Sequence, residues 1–256
     1  MNLNEQIMMK ENAFLTHPHI DTSNLIAVIP AFNEEGSIRK VVNITGNYVE
    51  KIIVCNDGST DRTGEILSES NILHINNKIN IGKGASMRAL FKEAVKYKPE
   101  IIITIDADYQ HDPMDIPKLV EEIRSGKSDL VIGSRFVEGS KTDISLFRLI
   151  GLNFINMVQR LLFNCKVKDT QSGFRAYSKN SFFIVLDSSA EGYTTESEQL
   201  FIAIKKGLKI SEVPVSIRYK GLASTSKKFF IFHGIELLIY LISYYIKNRI
   251  SLNEGK

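Results

Sequence analysis

The chain has 256 residues, 43% of them hydrophobic and 24% charged, which excludes wholesale disorder and allows one large domain or a domain with an appendage. Its net charge of +3 is unevenly placed: from residue 205 onward ten Lys/Arg stand against three Glu, a net +7 that leaves −4 for the rest. A basic C-terminal segment suits an anionic partner, phosphate or membrane surface, and two cysteines without CxxC spacing exclude a disulfide framework and a zinc site.

Residues 1–23 are polar, lack sustained periodicity and read as a loosely held leader. They do not show the basic-then-apolar order of a signal peptide, so a cytosolic face is expected. Leu25–Ile29, closed by Pro30, reads as the first strand. Ala31, Phe32, Asn33, Glu34 and Glu35 then lead into a helix carrying Ile38, Val41 and Val42, with Asn33 as its expected cap. Lys51–Cys55 is the second strand, ending in the turn Asn56-Asp57-Gly58-Ser59-Thr60-Asp61 before a helix through Ile66 and Leu67. Asn71–Ile75 is a third short strand. The loop Asn80-Ile81-Gly82-Lys83-Gly84-Ala85 opens a helix through Met87, Leu90 and Ala94.

Ile101–Ile105 is a β-branched apolar run, the mark of a strand buried on both faces. It stops at Asp106, Ala107, Asp108, Tyr109 and Gln110. Two carboxylates one residue apart at the end of a buried strand are costly unless a cation meets them. On a continuing strand the side chains of Asp106, Asp108 and Gln110 share one side. These are hard oxygen donors suited to Mg²⁺ or Mn²⁺, ions that take one or two carboxylates and complete their shell with waters and substrate phosphates. A strand merely ending in a polar turn is the plainer alternative. The cation reading is preferred.

Pro113–Arg124 has helical spacing, and Asp129–Gly133 is a strand ending at Ser134 and Arg135. Residues 136–145 form a polar connector of the kind that makes a mobile lid. Leu146–Phe163 is an apolar helix interrupted by Arg148, Asn153, Asn156, Gln159 and Arg160, and Asp169–Arg175 is a dense polar turn. Tyr193–Lys206 reads as a helix with Glu196 and Glu198, Lys209–Val215 as a strand, and Arg218–Lys228 as a basic Ser/Thr-rich loop. Phe229–Ile246 is 18 residues with one acid, flanked by Lys227, Lys228, Lys247 and Arg249. That borders on the roughly 20 residues needed to cross a bilayer. A helix lying in the headgroup region is the first reading, a single span the second and a core helix the third.

Strands alternating with helices imply an α/β fold, a mostly parallel sheet flanked by helices, with ligands outside the carboxyl ends of the strands. Pro30–Glu34, Asn56–Asp61 and Asp106–Gln110 fall at those ends, so several loops are expected to build one site. Asp57 either caps its turn or accepts from a nucleobase or ribose. The loop around Lys83 is equally a phosphate cradle or a tight helix-opening turn, since it lacks P-loop spacing. Arg135, Arg148 and Arg175 are read as phosphate contacts, against a plainer role as surface charges or carboxylate partners. His111 is expected to be structural and Glu236 a surface charge.

Taken together, IPAFNEE, CNDGSTDRT, NIGKGA, DADYQHDP, GSRF, DTQSGFRAY and TESEQL resemble the family-2 glycosyltransferases of the Rossmann-like GT-A fold, over about residues 24–230. Within these the chain is most similar to the dolichyl-phosphate or polyprenyl-phosphate sugar synthases. The resemblance implies a GT-A domain over 24–217 and, over 218–256, a basic loop with a membrane-associated C-terminal helix. It implies that Pro30, Phe32, Glu34, Cys55, Asp57, Lys83, Asp106 and Ala107 meet the nucleotide, and that Asp106, Asp108 and Gln110 hold Mg²⁺ or Mn²⁺ on its diphosphate. By the same resemblance Arg135, Arg218 and Lys227 would contact phosphates; Arg148 and Arg175 join them as phosphate or acceptor contacts from their place at loop edges, and Asp108, Arg135 and Glu196 are the expected catalytic set. The basic loop departs from the usual Arg-x-x-Gly-x-Ser-Lys spacing, which leaves Lys220, Lys227 and Lys228 as alternatives.

The expected function is inverting, metal-dependent transfer of a hexose from GDP-mannose, UDP-glucose or UDP-N-acetylglucosamine to dolichyl or polyprenyl phosphate. The expected setting is the cytoplasmic face of a membrane, peripheral or single-span, with no nucleic acid as partner. A glycosyltransferase acting on a sugar hydroxyl is the second reading, with Glu196 as its base. A non-catalytic nucleotide-binding scaffold is the third.

Overall fold

The computed structural model describes residues 20–219 and 227–253, apart from the side chains of 193, 227–233 and 248–253. In chain order the strands are β1 (Leu25–Ala31), β2 (Lys51–Asp57), β3 (Leu73–Asn77), β4 (Ile101–Thr104), β5 (Leu130–Ser134), β6 (Lys141–Thr142), β7 (Arg175–Ser178), β8 (Ile210–Pro214) and β9 (Ser216–Ile217). The helices are α1 (Ile38–Thr45), α2 (Thr63–Glu69), α3 (Lys83–Ala94), α4 (Ile116–Arg124), α5 (Leu146–Phe163), α6 (Phe183–Leu186), α7 (Thr195–Lys205) and α8 (Lys227–Asn253).

Seven strands form one sheet in the order β3-β2-β1-β4-β7-β5-β8. All neighbours are parallel except β7, which runs antiparallel between β4 and β5. Sequence reasoning takes Arg175–Tyr177 as the tail of a turn; it is a central strand, too short and too polar at its start to show a strand pattern. The apolar runs of β1, β4 and β5 are buried throughout, as a sheet covered on both faces requires. One face is covered by Ile38 and Val41 of α1, Leu67 of α2 and Leu119 of α4. The other is covered by Leu90 and Phe91 of α3, Ile184 of α6 and Leu200 of α7. The fold is therefore the α/β, GT-A-like layering expected, with one reversed strand.

Two further expectations change. Residues 136–145 are not a free lid: β6 pairs with β9, Lys141 N donates to Val215 O, and Ser140 Oγ reaches Ser134 O at 2.8 Å. Asn33 does not cap α1, whose cap position is Ser37. Instead Asn33 adopts a left-handed backbone (φ 57°) and accepts from Thr60 N at 2.8 Å.

A third, smaller core joins α5, α7 and α8 through Ile155, Phe201, Leu237 and Leu241, with the Phe163 and Phe201 rings stacked. One polar interruption of α5, Asn156, fastens it to the domain. Asn156 is fully buried and its Oδ1 accepts from Thr170 N at 3.1 Å and Thr170 Oγ1 at 2.7 Å.

Gly84, the second residue of α3, approaches the 188–194 loop so closely that a Cβ there would lie 2.1 Å from the Ala190 carbonyl oxygen. Gly84→Ala is expected to destabilise the fold by about 1–3 kcal/mol, the usual cost of overpacking. The denaturant midpoint checks this; an unchanged midpoint would show that the loop yields freely.

Candidate active site

Chain connections run from β1 to one side of the sheet and from β4 to the other, so the order reverses between these neighbours. In open α/β sheets that crevice, at the carboxyl ends, receives ligands. The β1 and β2 loops are fastened there to each other: Asn33 N donates to Ser59 Oγ, Glu34 N to Thr63 Oγ1 and Glu35 N to Asp61 Oδ2. Phe32 projects from this loop and is exposed. Burial pushes the Glu34 carboxyl upward, with Ser37 opposing it.

β4 ends at Thr104, and Asp106–Gln110 is a turn with Tyr109 in the left-handed region (φ 58°). Alternation along a strand therefore does not bring Asp106, Asp108 and Gln110 together. The turn does, and all three line one cavity. Arg218 braces the turn, donating to Tyr109 Oη at 2.6 Å and to Asp112 Oδ2 at 2.5 Å. Arg218 thus holds the acidic turn in shape from beside the cavity.

Lys83 Nζ lies 2.7 Å from Asp106 Oδ1 and 2.8 Å from Glu196 Oε1. Burial opposes the charges of Lys83 and Asp106, yet their attraction holds Asp106 below the usual carboxylate range and Lys83 above the usual amine range. Asp108 has no such partner: burial, then Asp106, then Glu34 push its carboxyl up to about 7. His111, against the same corner, is driven down to about 4 by burial and stays neutral. Its ring packs against Phe174 at the cavity wall. No group of three or more His, Cys, Asp or Glu gathers as a metal cage among the described residues. Two carboxylates and a Gln amide at the edge of a cavity, one carboxylate burdened by uncompensated negative charge, fit an ion shared with a substrate phosphate.

Arg135 follows β5 and is aimed by Asp169. The fully buried Asp169 accepts from Arg135 N (2.9 Å), Nε (2.7 Å) and Nη2 (2.5 Å). The remaining Nη1 donates to Tyr219 Oη at 3.0 Å, and the Arg148 guanidinium sits 5.3 Å over the Tyr219 ring. Arg135, Tyr219 and Arg148 thus form one cluster lining the cavity.

These groups form one end of a cavity of about 560 Å³. Its polar end has Lys83, Asp106, Asp108, Gln110, Arg135 and Glu196. Its other end is apolar, with Phe147, Ile150 and Phe154 of α5 and Ile235, Leu237 and Leu238 of α8.

Three assignments need correction. Arg175 is not a phosphate ligand: its guanidinium is buried and donates to the carbonyls of Ser172, Glu196 and Thr170, which ties β7 to α7 and the 169–173 turn. Cys55 does not reach a nucleotide, because its thiol is fully buried in the core, where burial pushes its pKa up. Asp57 follows the turn-capping alternative: its carboxylate accepts from Asn77 Nδ2, Ile81 N and Gly82 N at 2.8–3.0 Å. It thereby anchors the loop that delivers Lys83 at the start of α3. Pro30 lies at the carboxyl end of β1 and Ala107 in the turn after β4, where it is buried. The contact expected of Lys227 falls outside the described residues.

Asp169, Tyr219 and Gly173 were not legible as site residues. Only the density of polar residues over 169–175 pointed to the first and last. A Cβ on Gly173 would meet Asp106 Oδ2 at 2.7 Å and Lys83 Nζ at 3.0 Å, so the backbone itself walls the ion pair.

A model of the family described as Glycosyl transferase family 2 matches residues 26–183. A UDP-N-acetylglucosamine–dolichyl-phosphate N-acetylglucosaminyltransferase of Methanococcus voltae is 34% identical, over 75% of this chain and 84% of its own length. A dolichyl-phosphate beta-glucosyltransferase of Trichomonas vaginalis is 30% identical, over 75% of this chain and 64% of its own. Among solved structures, glucosyl-3-phosphoglycerate synthase of Mycobacterium tuberculosis, in complex with Mn²⁺, UDP-glucose and phosphoglyceric acid, superposes with a TM-score of 0.66. That likeness covers 86% of this chain and 79% of that one at 21% identity, and it is a likeness of fold.

Arg175→Leu leaves three buried carbonyls without a donor and is expected to cost about 2–4 kcal/mol of stability. A folded variant of unchanged melting temperature, weakened only in acceptor KM, would restore the phosphate role. Asp169→Asn keeps the shape but loosens the aim of Arg135, and kcat is expected to fall on the order of 10²-fold while the melt stays cooperative. Unchanged turnover would detach Arg135 from the chemistry.

Proposed function

The chain belongs to glycosyl transferase family 2, and from that premise we propose that it transfers a hexose from a nucleotide sugar to dolichyl or another polyprenyl phosphate. The observation that carries this is the two-ended cavity: ionic groups at one end and the apolar flanks of α5 and α8 at the other. A lipid phosphate has that same division, a charged head on a hydrocarbon chain. A sugar hydroxyl acceptor would leave the apolar end without a use.

Mg²⁺ or Mn²⁺, held by Asp106, Asp108 and the Gln110 amide, would neutralise charge growing on the departing nucleoside diphosphate. Phe32 and Glu34 stand on the nucleotide side of the crevice. Arg135, fixed by Asp169, presents Nη1 beside Tyr219 and Arg148, where an anionic acceptor is held without reorganisation. A phosphate oxygen is already a nucleophile near neutral pH. One bond forms from it to the anomeric carbon as the bond to the diphosphate breaks, and no proton has to move. In-line displacement of this kind inverts the anomeric centre. Glu196 is engaged by Lys83 and suits orienting a sugar hydroxyl better than removing its proton. That favours the phosphate acceptor over the hydroxyl one.

The membrane partner fits α5 and α8 together. Leu146, Ile150, Phe154, Met157 and Leu161 form an exposed stripe at helical spacing, and Ile235, Ile239, Ile242 and Ile246 form another. α5 is the one described helix long and apolar enough to cross a membrane by length and composition. Its opposite face is bonded to Thr170 through Asn156, which suits lying in the headgroup region with the cavity mouth at the lipid. Placement at the cytoplasmic face belongs to this same reading.

Incubation with radiolabelled GDP-mannose, UDP-glucose or UDP-N-acetylglucosamine, a polyprenyl phosphate and Mn²⁺ is expected to carry label into the organic phase with one donor. Asp108→Ala should lower that rate by about 10²–10³-fold or more. Label on a glycan alone would replace the acceptor, and no transfer with any donor would sink the reading. Ile150→Ser, Phe154→Ser and Leu161→Ser combined remove about 1.5–3 kcal/mol of burial each and should release the protein from liposomes in flotation. Equal flotation of variant and wild type would remove α5 from the membrane contact.

A further inference from the structure

Lys83 stands where a divalent cation would otherwise be needed. Its Nζ takes Asp106 Oδ1 at 2.7 Å and Glu196 Oε1 at 2.8 Å, with both carboxylates turned into the cavity. The position is built on three sides. Gly82 N and Ile81 N are tied to Asp57, which fixes the start of α3. The backbone at Gly84 presses on the Ala190 carbonyl, and Gly173 closes over the ion pair with no room for a side chain. Asp108, one residue from Ala107 in the same turn, has no cationic side chain in contact among the described residues, and no three-ligand cage is present among them.

We infer that Lys83 is the resident cation of Asp106 in the donor-free enzyme, so that the divalent ion is admitted only together with the nucleoside diphosphate. An ammonium has three donors. When a diphosphate enters the polar end of the cavity, Lys83 keeps Glu196 and turns from Asp106 to a phosphate oxygen. Asp106 is then released to the ion, which meets Asp108 and the phosphates at the same moment. Before the donor arrives Lys83 is shared by two carboxylates, Asp106 and Glu196; afterwards the ion meets Asp106, Asp108 and the diphosphate, and Lys83 serves Glu196 and a phosphate oxygen. Metal without donor is thereby disfavoured, and coupling between ligands of this kind is typically about 5–150-fold.

The inference rests on the donor-site reading above, and one measurement separates them. Mn²⁺ binding is followed by electron paramagnetic resonance in full-length wild type, Lys83→Met and Lys83→Arg, alone and with UDP or GDP, with thermal melts confirming folding. Wild type is expected to bind Mn²⁺ at least about tenfold more tightly with one nucleotide than without. Lys83→Met, with Asp106 freed, should bind Mn²⁺ alone at least about tenfold more tightly than wild type and show little gain from nucleotide. Lys83→Arg, keeping the charge, should resemble wild type without nucleotide. Wild type and Lys83→Met binding Mn²⁺ alone with equal affinity would overturn the role of Lys83 and leave the donor site standing. Nucleotide raising Mn²⁺ affinity in none of the three proteins would overturn the donor site as well.

Discussion

Two carboxylates held out of water at the end of β4 need positive charge, and the surrounding structure is arranged to meet that need. Burial acts against ionised Asp106 and Asp108 alike. Asp106 has Lys83; Asp108 has no cation in contact among the described residues and is driven toward its neutral form. A site whose charge is incomplete in one place is disposed to take up a cation there. Of the elements that approach this corner, the opening of α3 brings Lys83, the 169–173 turn brings its backbone against the ion pair at Gly173, and α7 brings Glu196, a carboxylate that shares the lysine.

The reversed strand β7 makes that approach possible. Being antiparallel, it starts at the ligand end of the sheet, so the turn before it, Asp169 to Gly173, arrives beside the carboxyl ends of β4 and β5. Asp169 can then grip Arg135, and Thr104 Oγ1 can donate to the Gly173 carbonyl at 2.7 Å. Arg175 secures the same turn from beneath with three carbonyl contacts. A buried guanidinium is tolerated there because its donors find acceptors. Arg135, gripped by Asp169 at the cavity, and Arg175, buried under the turn, thus sit forty residues apart in sequence.

Elements whose burial is uniform along the chain were legible. The β-branched runs gave β1, β2, β4 and β5 to within a residue or two, and the apolar pattern gave α5 over Leu146–Phe163. The acidic turn was recognised from composition, although its geometry was not: side-chain alternation presumes a strand, and Tyr109 takes a left-handed backbone that ends one. Features that depend on which loops meet were not legible. Asp57 looked like a ligand group because carboxylates at strand ends often are, but two backbone N–H groups of the following loop reach it first. Cys55 shares a motif and, by the alternation of β2, a face with Asp57, yet it lies deeper along the strand, packed in the core beside Ile53. Arg175 and Arg135 have the same composition-level signal, and only tertiary placement separates them. α5 read as an apolar helix with polar interruptions; two of those, Asn156 and Gln159, lie on its buried face with Ile155, while an apolar stripe is exposed, which departs from the ordinary soluble pattern.

The central claim is that the Asp106–Asp108 corner grips a divalent ion against a nucleoside diphosphate. Crystals grown with Mn²⁺ and UDP or GDP, measured at the manganese absorption edge, test it most directly. The account calls for one anomalous peak within coordination distance of Asp106 and Asp108, with Lys83 turned to the diphosphate. A peak elsewhere, or a nucleotide bound with both carboxylates untouched, would contradict it.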